Sequence, residues 1–515
     1  MRPMFRAALV ALLSCALAPT AVAAEPKPPV AGEGAVLVTV HPDIIQAAPG
    51  NAMPHQIPSL RLERVDGQRP KTVYIQPRLD GLQGTRAYGA ALSPGRYRIR
   101  TLCGGCTHYP ELDRGDAPEF EIVAGRTSYL GAFIVATHDR ENPKDGWYHL
   151  HAWEPSPDPA LGDRLVAGLF PELAVLGPVD TSAWRPEAGQ AEASLANGQR
   201  ARAMARGLHE PTPSGAKGFF FGGNLGTVRR WTPERGFERF DVGVPYLMRT
   251  VLGLGDGRLV AGGEAGTLRM SSDDGLTWHD APGELPFGTV LQILPLEDGE
   301  VVLSVLEGDA VSLLRGRPGE GNWSLVGRHE LTFSFWTGTP GAYPEMSRVG
   351  NALAVSLPSK AGVFHDLASG QSHTFDLPGS VGNLSLDADG VMRCHCRKRV
   401  ALVLWESRDE GRTWTESDLK WQLKAPIVRE TGPVYSVQGP LARRKKPGIY
   451  ASEDGGQTWK RRGDLPLLGW YRDHRMTADG SGWLVVGAHA EGFVFFESVM
   501  LSEDGGITWR NLLAP

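Results

Sequence analysis

The pattern Ser-x-Asp-x-Gly-x-Thr-Trp occurs four times in this chain without a mismatch. It runs from Ser271 to Trp278, Ser407 to Trp414, Ser452 to Trp459 and Ser502 to Trp509, with Asp273, Asp409, Asp454 and Asp504 at its third position. Five fixed positions recurring four times cannot be chance, so the chain is built on an internal repeat. The pattern has the chemistry of a hairpin turn. Asp bonds nearby backbone N–H groups and Gly accepts positive φ. Thr-Trp then opens a strand, where a β-branched residue and an aromatic pack well on a half-buried face. Strand-like runs precede each copy: Gly266–Met270, Val400–Trp405, Gly448–Ala451 and Val494–Met500.

The later copies lie about 45–50 residues apart, which is the length of a four-stranded propeller blade. The longer gap from 271 to 407 fits three such intervals. Eroded copies are expected at Arg315–Trp323 and at Asp366–Phe375. Another precedes the first copy: Gly222-Gly-Asn-Leu-Gly226-Thr-Val-Arg matches Gly262-Gly-Glu-Ala-Gly266-Thr-Leu-Arg, and Trp231–Gly236 stands where the turn pattern has decayed. The expectation is seven blades over residues 201–515, with six and eight as alternatives.

The motif resembles the Asp-box (BNR) repeat of sialidase-like β-propellers. The resemblance implies that each box joins the third and fourth strands at the blade periphery and does no chemistry. Asp273, Asp409, Asp454, Asp504, Trp278, Trp414, Trp459 and Trp509 are then structural. It further implies that ligands use the opposite face, around the axis.

Residues 1–24 read as a secretory signal, with Arg2 and Arg6 at the start, an apolar Ala7–Leu17 and an Ala21-Val-Ala23 cleavage site. Leu12-Leu-Ser-Cys15 also resembles a bacterial lipobox, which would make Cys15 a lipid anchor to the outer membrane. Periplasmic or secreted soluble export is the preferred reading. No later stretch has the roughly 20 apolar residues of a membrane span. The formal charge of −5, which becomes −7 when Arg2 and Arg6 leave with the signal, argues against general nucleic-acid binding.

Residues 34–155 are expected to form a β-sandwich. Short alternating runs such as Ala35–Val40, Ser59–Arg64, Thr72–Ile75, Tyr97–Thr101 and Phe120–Val123 are separated by Gly/Pro turns. The spacing of Leu92–Tyr97, Phe120–Gly125 and Tyr129–Gly131 resembles small Ig-like or transthyretin-like domains of exported bacterial proteins, which implies no activity. Residues 156–200 read as a helical linker, with a helix around Ala160–Phe170 and a looser stretch at 177–200. The fold class is thus all-β: a sandwich followed by a propeller.

Four cysteines remain beyond Cys15. Cys103-Gly-Gly-Cys106 and Cys394-His-Cys396 suit local disulfides in an oxidising compartment. Free thiols and a four-thiolate metal site are the alternatives, and no metal is expected. His149 and His151 share one strand face and read as ordinary strand residues.

Two groups of side chains map to the ligand face. Arg393, Arg397-Lys398-Arg399 and Arg443-Arg444-Lys445-Lys446 precede successive boxes and suit a polyanion such as an acidic glycan, or an anionic surface. On the innermost strands stand Arg249, Glu345, Arg348, Arg429, Glu430 and the run Tyr471-Arg472-Asp473-His474-Arg475. Sialidases clamp a carboxylate with three arginines and use a Tyr/Glu nucleophile pair with an Asp acid. Arg249, Arg348, Glu430, Tyr471, Arg472 and Asp473 are the candidates for such roles. The family's Arg-Ile-Pro tripeptide is missing before the first box. Repeats such as Gly255–Ser271 are more similar to non-enzymatic Asp-box propellers, including the photosystem II assembly-factor and sortilin types. These imply a rigid binding disc. No P-loop, dinucleotide fingerprint, HExxH or GxSxG elbow stands in a supporting context, so no cofactor is expected. The expectation is an exported binding or scaffolding protein for an envelope or extracellular protein or an anionic glycan. A sialidase-like glycoside hydrolase is the alternative.

Overall fold

The computed structural model describes residues 28–512 apart from 44–58, 68–70, 79–80, 102–111, 113–116, 140–146, 206, 215–217, 256, 332–342, 359, 387–389, 399–400, 418–423, 428–432, 439–445, 447, 455–457, 465–472, 479–483 and 490–498. Cys15, Cys103, Cys106, Arg399, Arg429, Glu430, Arg443, Arg444, Lys445, Tyr471 and Arg472 lie outside the described residues.

The N-terminal unit has two five-stranded sheets. One orders Arg86–Leu92, Gly34–Asp43, Thr127–Asp139 and Trp147–Trp153, with Val179–Asp180 added against Thr127–Asp139. The other orders Trp184–Arg185, Glu119–Ile122, Gly95–Thr101, Leu60–Arg64 and Lys71–Ile75. Both sheets contribute to one apolar core. Val36, Val38 and Val40 meet Leu60, Leu62, Tyr97, Ile99, Phe120 and Phe133 there. The period-2 alternation of Gly34–Asp43 puts Ala35 and Leu37 on the other face. That face is covered too, by Leu165, Val166, Leu169 and Phe170. A strand buried on both sides explains why nearly all ten of its residues are buried.

The helix that covers this face, α1, is Pro159–Leu169. Asp158 caps it by accepting a hydrogen bond from the Ala160 N–H at 3.0 Å, and proline opens its first turn. The following stretch is more structured than its composition suggests. Trp184–Arg185 extends a sheet, and the Trp184 indole donates to the Leu130 carbonyl at 2.9 Å. A second helix, α2, spans Gln190–Ala203. Its Ser194 hydroxyl donates to the Trp153 carbonyl and accepts from the Trp153 N–H, both at 2.7 Å. Residues 177–200 are therefore tied into the N-terminal unit. The sequence hid this because α2 buries only Ser194 and Ala201 among its described residues and so has no apolar stripe.

The remainder forms seven four-stranded antiparallel sheets among the described residues, each with its strands in chain order. They cover 209–241, 248–280, 289–330, 345–376, 380–416, 424–463 and 473–511. The innermost strands touch in succession, and His209–Pro213 of the first sheet packs on Asp473–Ala478 and Leu484–His489 of the seventh. Phe219, Phe221, Trp231, Val499 and Leu501 fill that closing seam. The sheets thus form a closed ring, the propeller architecture.

Candidate functional site: the two turn faces of the ring

All four intact boxes, and all three eroded ones, join the third and fourth strands of their sheets. The four intact boxes share one Ser–Asp–Thr hydrogen-bond scheme. In the first, the Ser271 hydroxyl donates to Asp273 Oδ1 at 2.8 Å and accepts from the Gly275 N–H at 2.9 Å. Asp273 Oδ1 takes the Thr277 N–H at 2.8 Å, and Oδ2 takes the Thr277 hydroxyl at 2.6 Å. In this first copy the Trp278 indole also donates to the Gly275 carbonyl at 2.9 Å, a bond that the Trp414 and Trp509 indoles do not make. Asp409, Asp454 and Asp504 bind Thr413, Thr458 and Thr508 in the same way. The Thr hydroxyl and N–H hold Asp273, Asp409 and Asp454 down at about 2, from an ordinary 3.8. Burial works against this at Asp504, but the Thr508 bonds outweigh it and it too lies at about 2. Trp278 and Trp414 pack against apolar seams, and Trp459 against Tyr450. These carboxylates are consumed by their own turns.

The opposite face carries the turns between second and third strands and the crossings between sheets. The N-terminal unit sits on three neighbouring sheets of this face. Glu264, in such a turn of the second sheet, is completely buried. Its Oε1 accepts from the N–H groups of Gln83, Gly84 and Thr85 at 2.6, 2.5 and 3.0 Å. Its Oε2 accepts from the Thr85 hydroxyl at 2.5 Å and the Leu247 N–H at 3.3 Å. Successive backbone N–H groups pointing at one carboxylate form an anion nest. Asn224, at the matching position of the first sheet, donates to Asp43 at 2.9 Å. Arg164 of α1 donates to the Ala265 carbonyl at 2.7 Å, and Thr289 of the third sheet to the Gly81 carbonyl at 2.5 Å.

Polar groups continue behind Glu264. His41 is buried, with Nε2 2.9 Å from the Thr39 hydroxyl and Nδ1 3.1 Å from that of Thr85. Burial, and secondarily the charge of Arg202, lowers its pKa to about 3, so the ring is neutral. Tyr246 meets it edge-on at 5.0 Å, and burial raises the Tyr246 phenol well above its ordinary value.

Sequence reasoning missed Glu264. A signal for it was present: Asn224 and Glu264 occupy the same place in the two matching Gly-Gly-x-x-Gly-Thr segments. In the structure Leu225-Gly226 and Ala265-Gly266 all have positive φ, so the segments make the same tight turn.

Arg397 and Lys398 end the second strand of the fifth sheet, Met392–Lys398. Lys446 is exposed in the equivalent connection of the sixth, between Val434–Gln438 and Gly448–Ser452. Arg397–Lys398 and Lys446 therefore mark neighbouring turns of the face that also carries the N-terminal unit. Arg393 does not belong with them. It lies near the other end of Met392–Lys398, 3.3 Å from Glu406, because the strand is long enough to carry it to the box side.

The axial candidates are dispersed. Arg249 is the second residue of Met248–Gly255, at the crossing end, with its guanidinium 5.6 Å from the centre of the Tyr343 ring. Arg348 is fourth in Glu345–Val349, toward the opposite end, and donates to the Gly350 carbonyl. Asp473 opens Asp473–Ala478, opposite His489. The described residues thus do not bring the two arginines together.

Cys394 and Cys396 are buried, disulfide-bonded to each other, and 5.3 Å apart at Cα. His151 is buried against Phe133, and the His149 side chain lies outside the described residues. No group of three or more metal-ligating side chains occurs among the described residues, and no described helix is long and apolar enough to cross a membrane.

No protein-family model matches the chain, and no curated protein matches it by sequence. Solved structures that are similar to it include YCF48 from Cyanidioschyzon merolae, at 16% identity and a TM-score of 0.40, covering 55% of this chain and 92% of that one. The GH74 enzyme of Niastella koreensis is similar at 12% identity and a TM-score of 0.39, over 56% of this chain and 42% of that one. The WD40 propeller domain of Doa1 is similar at 14% identity and a TM-score of 0.38, over 58% and 95%. These likenesses go no further than the propeller fold.

Proposed function

We propose that this chain is an exported binding protein in which an N-terminal β-sandwich is fixed on a seven-bladed propeller of the Asp-box type. Residues 1–24 are its signal, with Cys15 as the alternative lipid anchor. The observation that carries the reading is the division of one face of the ring. Sheets one to three are covered through Glu264, Asn224 and Thr289. Arg397 and Lys398 belong to sheet five and Lys446 to the matching turn of sheet six, outside the covered sector. A partner seated on that sector meets a cluster of cations on an otherwise acidic protein, which favours an anionic protein surface or an acidic glycan. The hydrolase alternative has less support, because Arg249 and Arg348 stand toward opposite ends of their strands.

The test is an array of sialylated, phosphorylated and neutral glycans probed with the purified mature protein, with product release assayed on the same panel. Binding without turnover, lost when Arg443–Lys446 are neutralised, supports the reading. Turnover of an acidic sugar replaces it with the hydrolase. A blank array removes the glycan and sends the search to envelope proteins.

A further inference from the structure

The seam between the third and fourth sheets brings together two histidines that are 36 positions apart. His329 lies on the outer strand Ser324–Glu330 and His365 on the third strand Ala361–Asp366. Their Nε2 atoms face each other at 3.1 Å, with ring centres 5.2 Å apart and planes at 55°. His365 is buried, whereas His329 is half-buried and reaches solvent.

The backbone makes room for this meeting. Pairing of the outer strand with its neighbour shifts register between Leu313 and Leu314, opposite Gly327 and Leu325, so the strand is bulged there. Bulges re-aim side chains. Gly327 completes the space: a Cβ on it would stand 2.9 Å from Cε1 of His365 and 3.0 Å from Nε2 of His329. A third histidine nearby is turned away. His373 pairs with Phe364 across the strands, so it shares the face opposite His365, and its Nε2 meets the Glu410 carbonyl at 2.9 Å.

Two imidazole nitrogens this close need a positive centre between them, either one ring's N–H proton or a metal ion. An ion bound at 2.0–2.1 Å in tetrahedral geometry spans two nitrogens about 3.3 Å apart. We propose that His329 and His365 form a two-imidazole site for Zn2+ or a similar imidazole-preferring first-row divalent ion, with water from the His329 side completing its coordination.

The experiment titrates tag-free, chelator-stripped full chain with Zn2+ against a chromophoric competitor. The expected result is one Zn2+ per chain. Changing outer-shell partners alone lowers metal affinity by about 10–100-fold, so His329→Gln should weaken binding by at least about tenfold. Its circular dichroism and Tm in chelator should match wild type, and His365→Asn should behave alike. His373→Gln should bind as wild type does. Loaded with Cu2+, the wild type should give an electron paramagnetic resonance spectrum with two-nitrogen hyperfine structure that collapses in His329→Gln. Absence of stoichiometric Zn2+ binding, or undiminished binding by a folded His329→Gln, would mean that only a proton joins the rings, and would overturn the proposal.

Discussion

The Thr85 hydroxyl donates a 2.5 Å hydrogen bond to Glu264, a carboxylate that is completely buried although it belongs to a turn of a propeller sheet. The two residues come from different units and are 179 positions apart. Their contact makes the cover over sheets one to three part of the core of the molecule. The three backbone donors that Gln83, Gly84 and Thr85 present to Glu264 cannot turn to another acceptor without moving the 81–85 segment.

Glu264→Gln retains the shape but replaces one acceptor oxygen with an N–H2 donor facing N–H groups. Hydrogen bonds to a charged group contribute about 1.5–3 kcal/mol each, and unsatisfied buried donors cost a similar amount. The expected loss of stability is roughly 3 kcal/mol, read from the midpoint of urea unfolding. Limited proteolysis should show the N-terminal unit released first. Unchanged midpoint and protease resistance would mean that the nest does not hold the units together.

The four box aspartates have folded pKa values lowered to about 2. A lowered carboxylate pKa gives stability that is full above the ordinary value and is lost as pH falls through the folded value. Thermal stability should therefore fall as pH drops from about 4 toward 2, when these groups take up protons. Asp454→Asn should lower Tm at pH 7 and approach the wild type at the acid end. Any binding per folded molecule should be unaffected. A Tm difference that does not shrink on acidification would show that the carboxylate charge is not what the turn uses.

Cys394 and Cys396 are both 0% exposed in the seam between the fourth and fifth sheets. A thiol reagent needs access as well as a thiolate. Reductant plus alkylating agent should leave both residues unmodified in the native protein and modify both after denaturation. Peptide mapping of each state is the check. Rapid native labelling would place the pair at an opening in that seam.

Arg249 is buried with its guanidinium over the Tyr343 ring. Cation–π contacts contribute about 0.5–2 kcal/mol. Arg249→Met should lose stability within that range, measured by urea unfolding, and leave glycan binding at the basic sector intact. Loss of binding without loss of stability would relocate the site to the axis.

The repeat was legible because turn chemistry is local. Ser, Asp, Gly and Thr within seven positions satisfy one another, and both intact and eroded copies stood where the sequence placed them, between third and fourth strands. The same spacing gave four strands to each sheet and set the basic runs before successive boxes, and Arg397–Lys398 and Lys446 do lie at equivalent turns. The helix α2 was not legible, since Ser194 gains its meaning only from Trp153 on another strand. Arg393 was grouped with the wrong turn because a charge run in sequence does not reveal where its strand begins.

By itself, then, the sequence determined the sheets, their boxes and their succession around the ring, because each depends on residues a few positions apart. Only the tertiary structure decided which sector of the face is covered, that Glu264 is buried, and that His329 meets His365. Those outcomes join segments far apart in the chain. They depend on closure of the ring and on the seating of the N-terminal unit, which no local pattern encodes.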